Sequence, residues 1–74
     1  MKVIMEKEIE GKKARLILNV NEEVEVTYDG KSIYKSGGHT WDNITGDKWS
    51  QESIIEIAVE CEINNMALEN FELE

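Results

Sequence analysis

The stretch Val3-Ile4-Met5-Glu6-Lys7-Glu8-Ile9-Glu10-Gly11-Lys12-Lys13-Ala14-Arg15-Leu16-Ile17-Leu18-Asn19-Val20 decides the fold. Val3, Met5 and Ile9 alternate with Glu6, Glu8 and Glu10, and Ala14, Leu16, Leu18 and Val20 alternate with Arg15, Ile17 and Asn19. That is the period of strands with one buried face. A two-residue turn at Gly11-Lys12, glycine first as a type II′ turn requires, pairs Glu10 with Lys13, Glu8 with Arg15 and Ile9 with Ala14. Core face and cross-strand charge agree in this register, whereas a slip of one residue would turn every core side chain outward.

Working outward, Val24, Val26 and Tyr28 extend the inward row if Asn21-Glu22-Glu23 is a three-residue loop, setting Val20 opposite Val24 and Leu18 opposite Val26. Asp29-Gly30 makes the next turn and starts a fourth strand over 31–35, with Val26 opposite Ile33 and Glu25 opposite Tyr34. Its flanking lysines suit an exposed sheet edge. From Ser36 to Trp49 the pattern stops among glycines, Asp42, Asn43 and Asp47, which reads as a loop pinned by Trp41 and Trp49. Ser50 then caps a helix on which Ile54, Ile57, Ala58 and Cys61 share a stripe widened by Ile55 and Val59, while Glu52, Glu56 and Glu60 take the opposite face. The helix ends near Asn64-Asn65. Phe71 and Leu73, alternating with Glu72 and Glu74, favour a short fifth strand, although Met66, Ala67 and Leu68 equally fit more helix. The expected fold is α+β, one domain over 1–74: a four-stranded antiparallel meander with one helix packed on one face.

Composition limits function. Seventy-four residues hold one small core. The net charge of −8 is lopsided: every lysine and arginine lies at or before Lys48, and the last 26 residues carry Glu52, Glu56, Glu60, Glu62, Glu69, Glu72 and Glu74 with no base. An acidic surface repels anionic lipid and nucleic acid alike, so direct binding to either is not expected. Cys61 is the single cysteine, and acids interrupt the first residues where a secretory signal would be apolar, so a cytoplasmic protein is expected.

Glutamates four apart on a helix form a row at an axial interval of about 6 Å. Each such like-charge pair costs roughly 0.2–0.5 kcal/mol. A solvated face tolerates this, since glutamate forms helix well and charge keeps the protein soluble. A recognition surface uses it: the row with Glu62, Glu69 and Glu72 would present charge to a basic groove built for nucleic acid, and such a field speeds association by about 10–10³-fold at low salt. Phosphates along one DNA strand are spaced at ~3.4 Å, so the row matches them in sign and not atom for atom.

Affinity also needs apolar anchors. Trp41, in the glycine-rich loop, is the leading candidate, although it equally fits a cap on the open end of the core; Tyr34, on the outer face of the fourth strand, either binds a partner or covers sheet surface, and Trp49 is expected to cap the core. His39 with Asp42 and Asp47 is too generic for a metal site, and the 42–47 run fails the calcium-loop pattern because Ile44 occupies a ligand position. Ser36-Gly37-Gly38 lacks the lysine of a phosphate loop, Cys61 falls on the helix's apolar stripe, and Asn43-Ile44-Thr45 means nothing without secretion. No catalytic, cofactor or metal residue is singled out, and a core this small leaves little room for an enzyme's pocket.

In size and charge the chain resembles small acidic phage-encoded inhibitors, the anti-CRISPR and anti-restriction proteins, a resemblance of composition that covers no motif. It implies a non-enzymatic inhibitor, monomer or homodimer, that competes with nucleic acid for a basic site on a partner such as a nuclease. A second reading is an accessory or structural subunit that completes an assembly through a sheet edge and the Trp41 loop. A third is a small-ligand or metal binder using residues 37–49.

Overall fold

The computed structural model describes residues 1–64. Four strands, β1 (Lys2–Ile9), β2 (Lys12–Leu18), β3 (Val24–Tyr28) and β4 (Lys31–Ser36), form one antiparallel sheet in chain order, followed by a short helix α1 (Gly38–Ile44) and a long helix α2 (Lys48–Ile63). This is the expected α+β meander with one main helix on one face. The fifth-strand reading and its helical alternative lie outside the described residues, as does the His39 side chain.

Two registers differ from expectation by two residues each. The first turn is Glu10-Gly11, with positive φ at both (51° and 79°), so Glu8 faces Lys13, Lys7 faces Ala14 and Glu6 faces Arg15. Both central residues left-handed is the type I′ arrangement, whose twist suits a hairpin, at a cost of roughly 1 kcal/mol for placing a non-glycine there. In this register Arg15 Nε donates to Glu6 Oε2 at 2.6 Å. Between β2 and β3, five residues instead of three make the connection, with a 3₁₀ turn over Val20–Glu22 that leaves Val20 77 % exposed. Leu18 therefore pairs with Val24 and Leu16 with Val26. Asn19 closes this loop, donating from Nδ2 to Glu25 at 2.8 Å and to Glu23 at 3.2 Å.

Both edge strands carry an irregularity. At β1 the register shifts between Val3 and Met5, so Ile4 and Met5 both pack on the core. At β4 the Asp29-Gly30 turn is as expected, and then an extra residue, Ile33, shifts the pairing so that Val26 meets Tyr34 and Glu25 meets Lys35. A bulge places two neighbouring side chains where one would be, and bends an edge away from further pairing. Tyr34 is thus half-buried against the core and not on the outer face.

The core lies between the sheet and the helices. Ala14, Leu16, Val24, Val26, Tyr28 and Ile33 meet Ile54, Ile55, Ala58 and Val59 of α2 and Ile44 of α1. The Ser36–Trp49 segment is mostly helical, not a loop: α1 is anchored by Ile44, 1 % exposed, and tied to α2 by buried Gln51, whose Nε2 donates to the Ile44 carbonyl at 3.1 Å. Asp47, not Ser50, caps α2, accepting from the Trp49 and Ser50 amides at 3.1 and 3.4 Å. Ser50 supports the cap by donating its hydroxyl to Asp47 Oδ2 at 2.7 Å. The helix stops at Asn64, whose backbone and side-chain N–H groups both bond the Glu60 carbonyl. Cys61 is buried as expected, while Ile57 sits on the rim of the stripe at 38 % exposure.

Ile54→Ala should lose about 2–5 kcal/mol in urea unfolding, whereas Ile57→Ala, at the rim, should lose less than about 1 kcal/mol. Equal losses would mean α2 is rotated from the phase described.

Candidate protein-binding face

The burial of Gln51, Ile54, Ile55, Ala58 and Val59 fixes the rotation of α2. At 100° per residue, Glu52, Glu56 and Glu60 then fall on the far side, with Glu56 and Glu60 exposed and Glu52 half-buried beside the sheet. Trp49 lies seven residues before Glu56 and Ile63 seven after it, about 10 Å along the axis in each direction, so both share that side. Trp49 is 77 % exposed and Ile63 45 %. The outer face of α2 is therefore an acidic row with an apolar side chain at either end.

The two tryptophans differ in placement, and only Trp49 departs from the expected one. Trp41, on α1, is half-buried and packs against the core; Trp49, expected as a core cap, stands in solvent. The signal was present in the spacing, since a residue seven before Glu56 must share its face once the stretch is helical.

Lysines from the sheet reach two of the glutamates. Lys7, on β1, forms an ion pair with Glu56, and this hydrogen bond, helped by the charges of Glu56 and Glu52, pushes the Lys7 ammonium pKa up. Lys31, at the start of β4, pairs with Glu62 at 3.1 Å. Glu62 thus turns toward the β4 edge, away from the Glu52–Glu56–Glu60 row, and is not part of it. Glu69 and Glu72 lie outside the described residues. Among the described residues Glu52 and Glu60 are in no ion pair.

Two acids that sequence reasoning did not join to the row lie near it. A groove of about 450 Å³ runs between the end of β1 and the second half of α2, with Ile9, Val59 and Ile63 in its lining and Glu8, Glu10, Glu56 and Glu60 around them. Elsewhere, Arg15 and then Lys13 hold the Glu6 carboxyl below its usual pKa, and hydrogen bonds from Ser32 and Asn19, with the charge of Lys35, do the same for Glu25. These two belong to the sheet's outer face and its loop. Among the described residues no group of three or more His, Cys, Asp or Glu side chains is placed to hold a metal ion, and no helix is long and apolar enough to cross a membrane. Compared with family models, curated proteins and solved structures, the chain matches none.

The Asp47 cap that orients Trp49 gives a pH test. Its carboxyl pKa lies below the usual value, chiefly through the Ser50 hydroxyl and then the Ser50 and Trp49 amides. A lowered folded pKa contributes stability that is full above the unfolded value and fades as pH falls through the folded one. Asp47→Ala should lower the melting temperature at pH 7, and the gap from the parent should close as pH drops below about 3.8. A gap that is constant with pH would show that the carboxylate charge has no part in the cap.

Proposed function

We propose that this protein acts without catalysis, inside the cell, by docking the outer face of α2 on a basic surface of another protein and so competing with nucleic acid for that surface. One observation carries the reading: Trp49 stands exposed on the same helical face as Glu52, Glu56 and Glu60. An acidic row alone supplies steering and sign selection, which salt removes. A tryptophan beside it supplies the desolvated contact on which affinity depends. A groove that binds phosphates offers both complements, cationic side chains and flat apolar or guanidinium surfaces on which an indole stacks.

Lys7 limits the mimicry. By pairing with Glu56 it leaves half-buried Glu52 and exposed Glu60, eight residues and about 12 Å apart, as the acids of the row in no ion pair among the described residues. That spacing suits two separate cationic side chains better than a continuous phosphate track. The partner expected is a nucleic-acid-binding protein such as a nuclease, held at its basic site in the manner of the phage-encoded inhibitors that the chain resembles in composition.

Two variants test the reading on the full chain used as bait in a host lysate. Trp49→Ala and the pair Glu52→Gln with Glu60→Gln should each leave melting unchanged or raised, yet release a captured partner that duplex DNA also displaces and that high salt weakens. Retention of that partner by both folded variants, at low and high salt alike, would remove the α2 face from the function.

A further inference from the structure

We infer that the groove beside β1 is a second docking site, one that takes an extended basic segment of a partner protein as an added strand. β1 is an edge of the sheet, and no described residue pairs with its outer side. The direction of its main-chain groups follows from the turn. Ile9 and Lys12 flank a two-residue hairpin loop and so exchange both of their hydrogen bonds, which makes Glu8–Lys13 the next, non-bonded pair. Consistent with this, the Lys13 carbonyl is turned to the other side, where it accepts from the Asp29 amide at 2.9 Å. The N–H and C=O of Glu8, and by the same alternation those of Glu6, therefore point outward from the edge.

A strand laid there would meet two different faces. Residues opposite Glu8 project beside Glu8 and Glu10, which are in no ion pair among the described residues; their neighbours project toward Ile9, Val59 and Ile63 in the groove, with Glu60 at its rim. Among the described residues Lys7 is the one base lining the groove, and it is already paired with Glu56. The chemistry selected is basic and apolar side chains in alternation. A second copy of this chain would bring Glu8 and Glu10 against the same acids, so charge disfavours pairing β1 with itself. The inference does not depend on Trp49 or on competition with nucleic acid.

The probe is a fluorescent acetyl-Lys-Val-Lys-Val-Lys-amide peptide, titrated into the full chain at low salt and followed by anisotropy and by hydrogen exchange of the Glu6 and Glu8 amides. Both amides should exchange fast in the free protein and slow when the peptide is bound. A peptide N-methylated on the edge-facing amides should bind about tenfold more weakly, as two lost hydrogen bonds imply. Glu8→Gln with Glu10→Gln should weaken binding several-fold, and Trp49→Ala should leave it unchanged, which separates this site from the α2 face. Equal affinity of the methylated peptide, or no binding, would overturn the inference. So would amides already protected without peptide, because the edge would then be covered by the chain itself or by a second copy.

Discussion

Everything else in this molecule depends on the contact of one stripe of α2 with one face of the sheet. Ile54, Ile55, Ala58 and Val59 are essentially inaccessible, as are Leu16, Val24 and Val26 beneath them. A chain of this size has no second core to fall back on. Once that stripe is committed, the rotation of the helix is settled, and with it the direction of every other side chain on it. Trp49, Glu56 and Glu60 are exposed because their phase on the helix turns them away from the sheet. The polar connection at the head of the helix follows the same logic: Gln51 falls within the buried stripe, so its amide must find a partner, and the Ile44 carbonyl at the end of α1 is that partner.

Period-two alternation displayed the strands, their inward faces and their order, and helical periodicity displayed α2. Alternation does not distinguish registers two residues apart, because such a displacement keeps every side chain on its own face. Both hairpin discrepancies are of that kind: Ile9 pairs with Lys12 in place of Ala14, and Leu18 with Val24 in place of Val26. The bulges at Ile4 and Ile33 are hidden for a different reason. Each puts two adjacent apolar residues on one face, which in a strict alternation reads as one residue in and one out, so alternation alone sets Tyr34 outside. In α1, Trp41 and Ile44 are the only apolar pair at helical spacing, too short a repeat to stand out among glycines and turn formers. Trp49 has the helical phase of Glu56, but it stands at the very start of α2, where the preceding glycines and turn formers hide that phase.

The charge asymmetry of the sequence is partly undone by folding. Lys7 occupies an inward position on β1, where a lysine belongs only if its stem can lie along apolar surface and its ammonium escape at the rim. It does so at the side of α2, where Glu56 receives it. Lys31 reaches Glu62 from the opposite edge, so the helix is flanked on both sides by ion pairs to the sheet. Exposed pairs of this sort stabilise by only about 0–1 kcal/mol each. Their larger effect is on the field: they offset Glu56 and Glu62 and leave Glu52 and Glu60 on the helix, and Glu8 and Glu10 at the end of β1, among the acids that are in no ion pair within the described residues.

Those positions coincide with the places where the fold is least protected. An exposed strand edge invites indiscriminate pairing, and β1 counters it early in the strand with the bulge at Ile4 and the inward Lys7. Toward the hairpin turn the strand is regular, and among the described residues the protection there is charge alone, from Glu8 and Glu10. Charge is a selective guard: it repels another copy of the same acidic edge and attracts a basic segment, whereas a bulge or a proline would refuse both. The exposed Trp49 is in a similar position, since tryptophan is a poorer helix former than alanine, glutamate or lysine and here gains almost no burial in return. Neither feature is explained by what it does for the folded monomer; the contact with a positively charged protein surface proposed above would account for both.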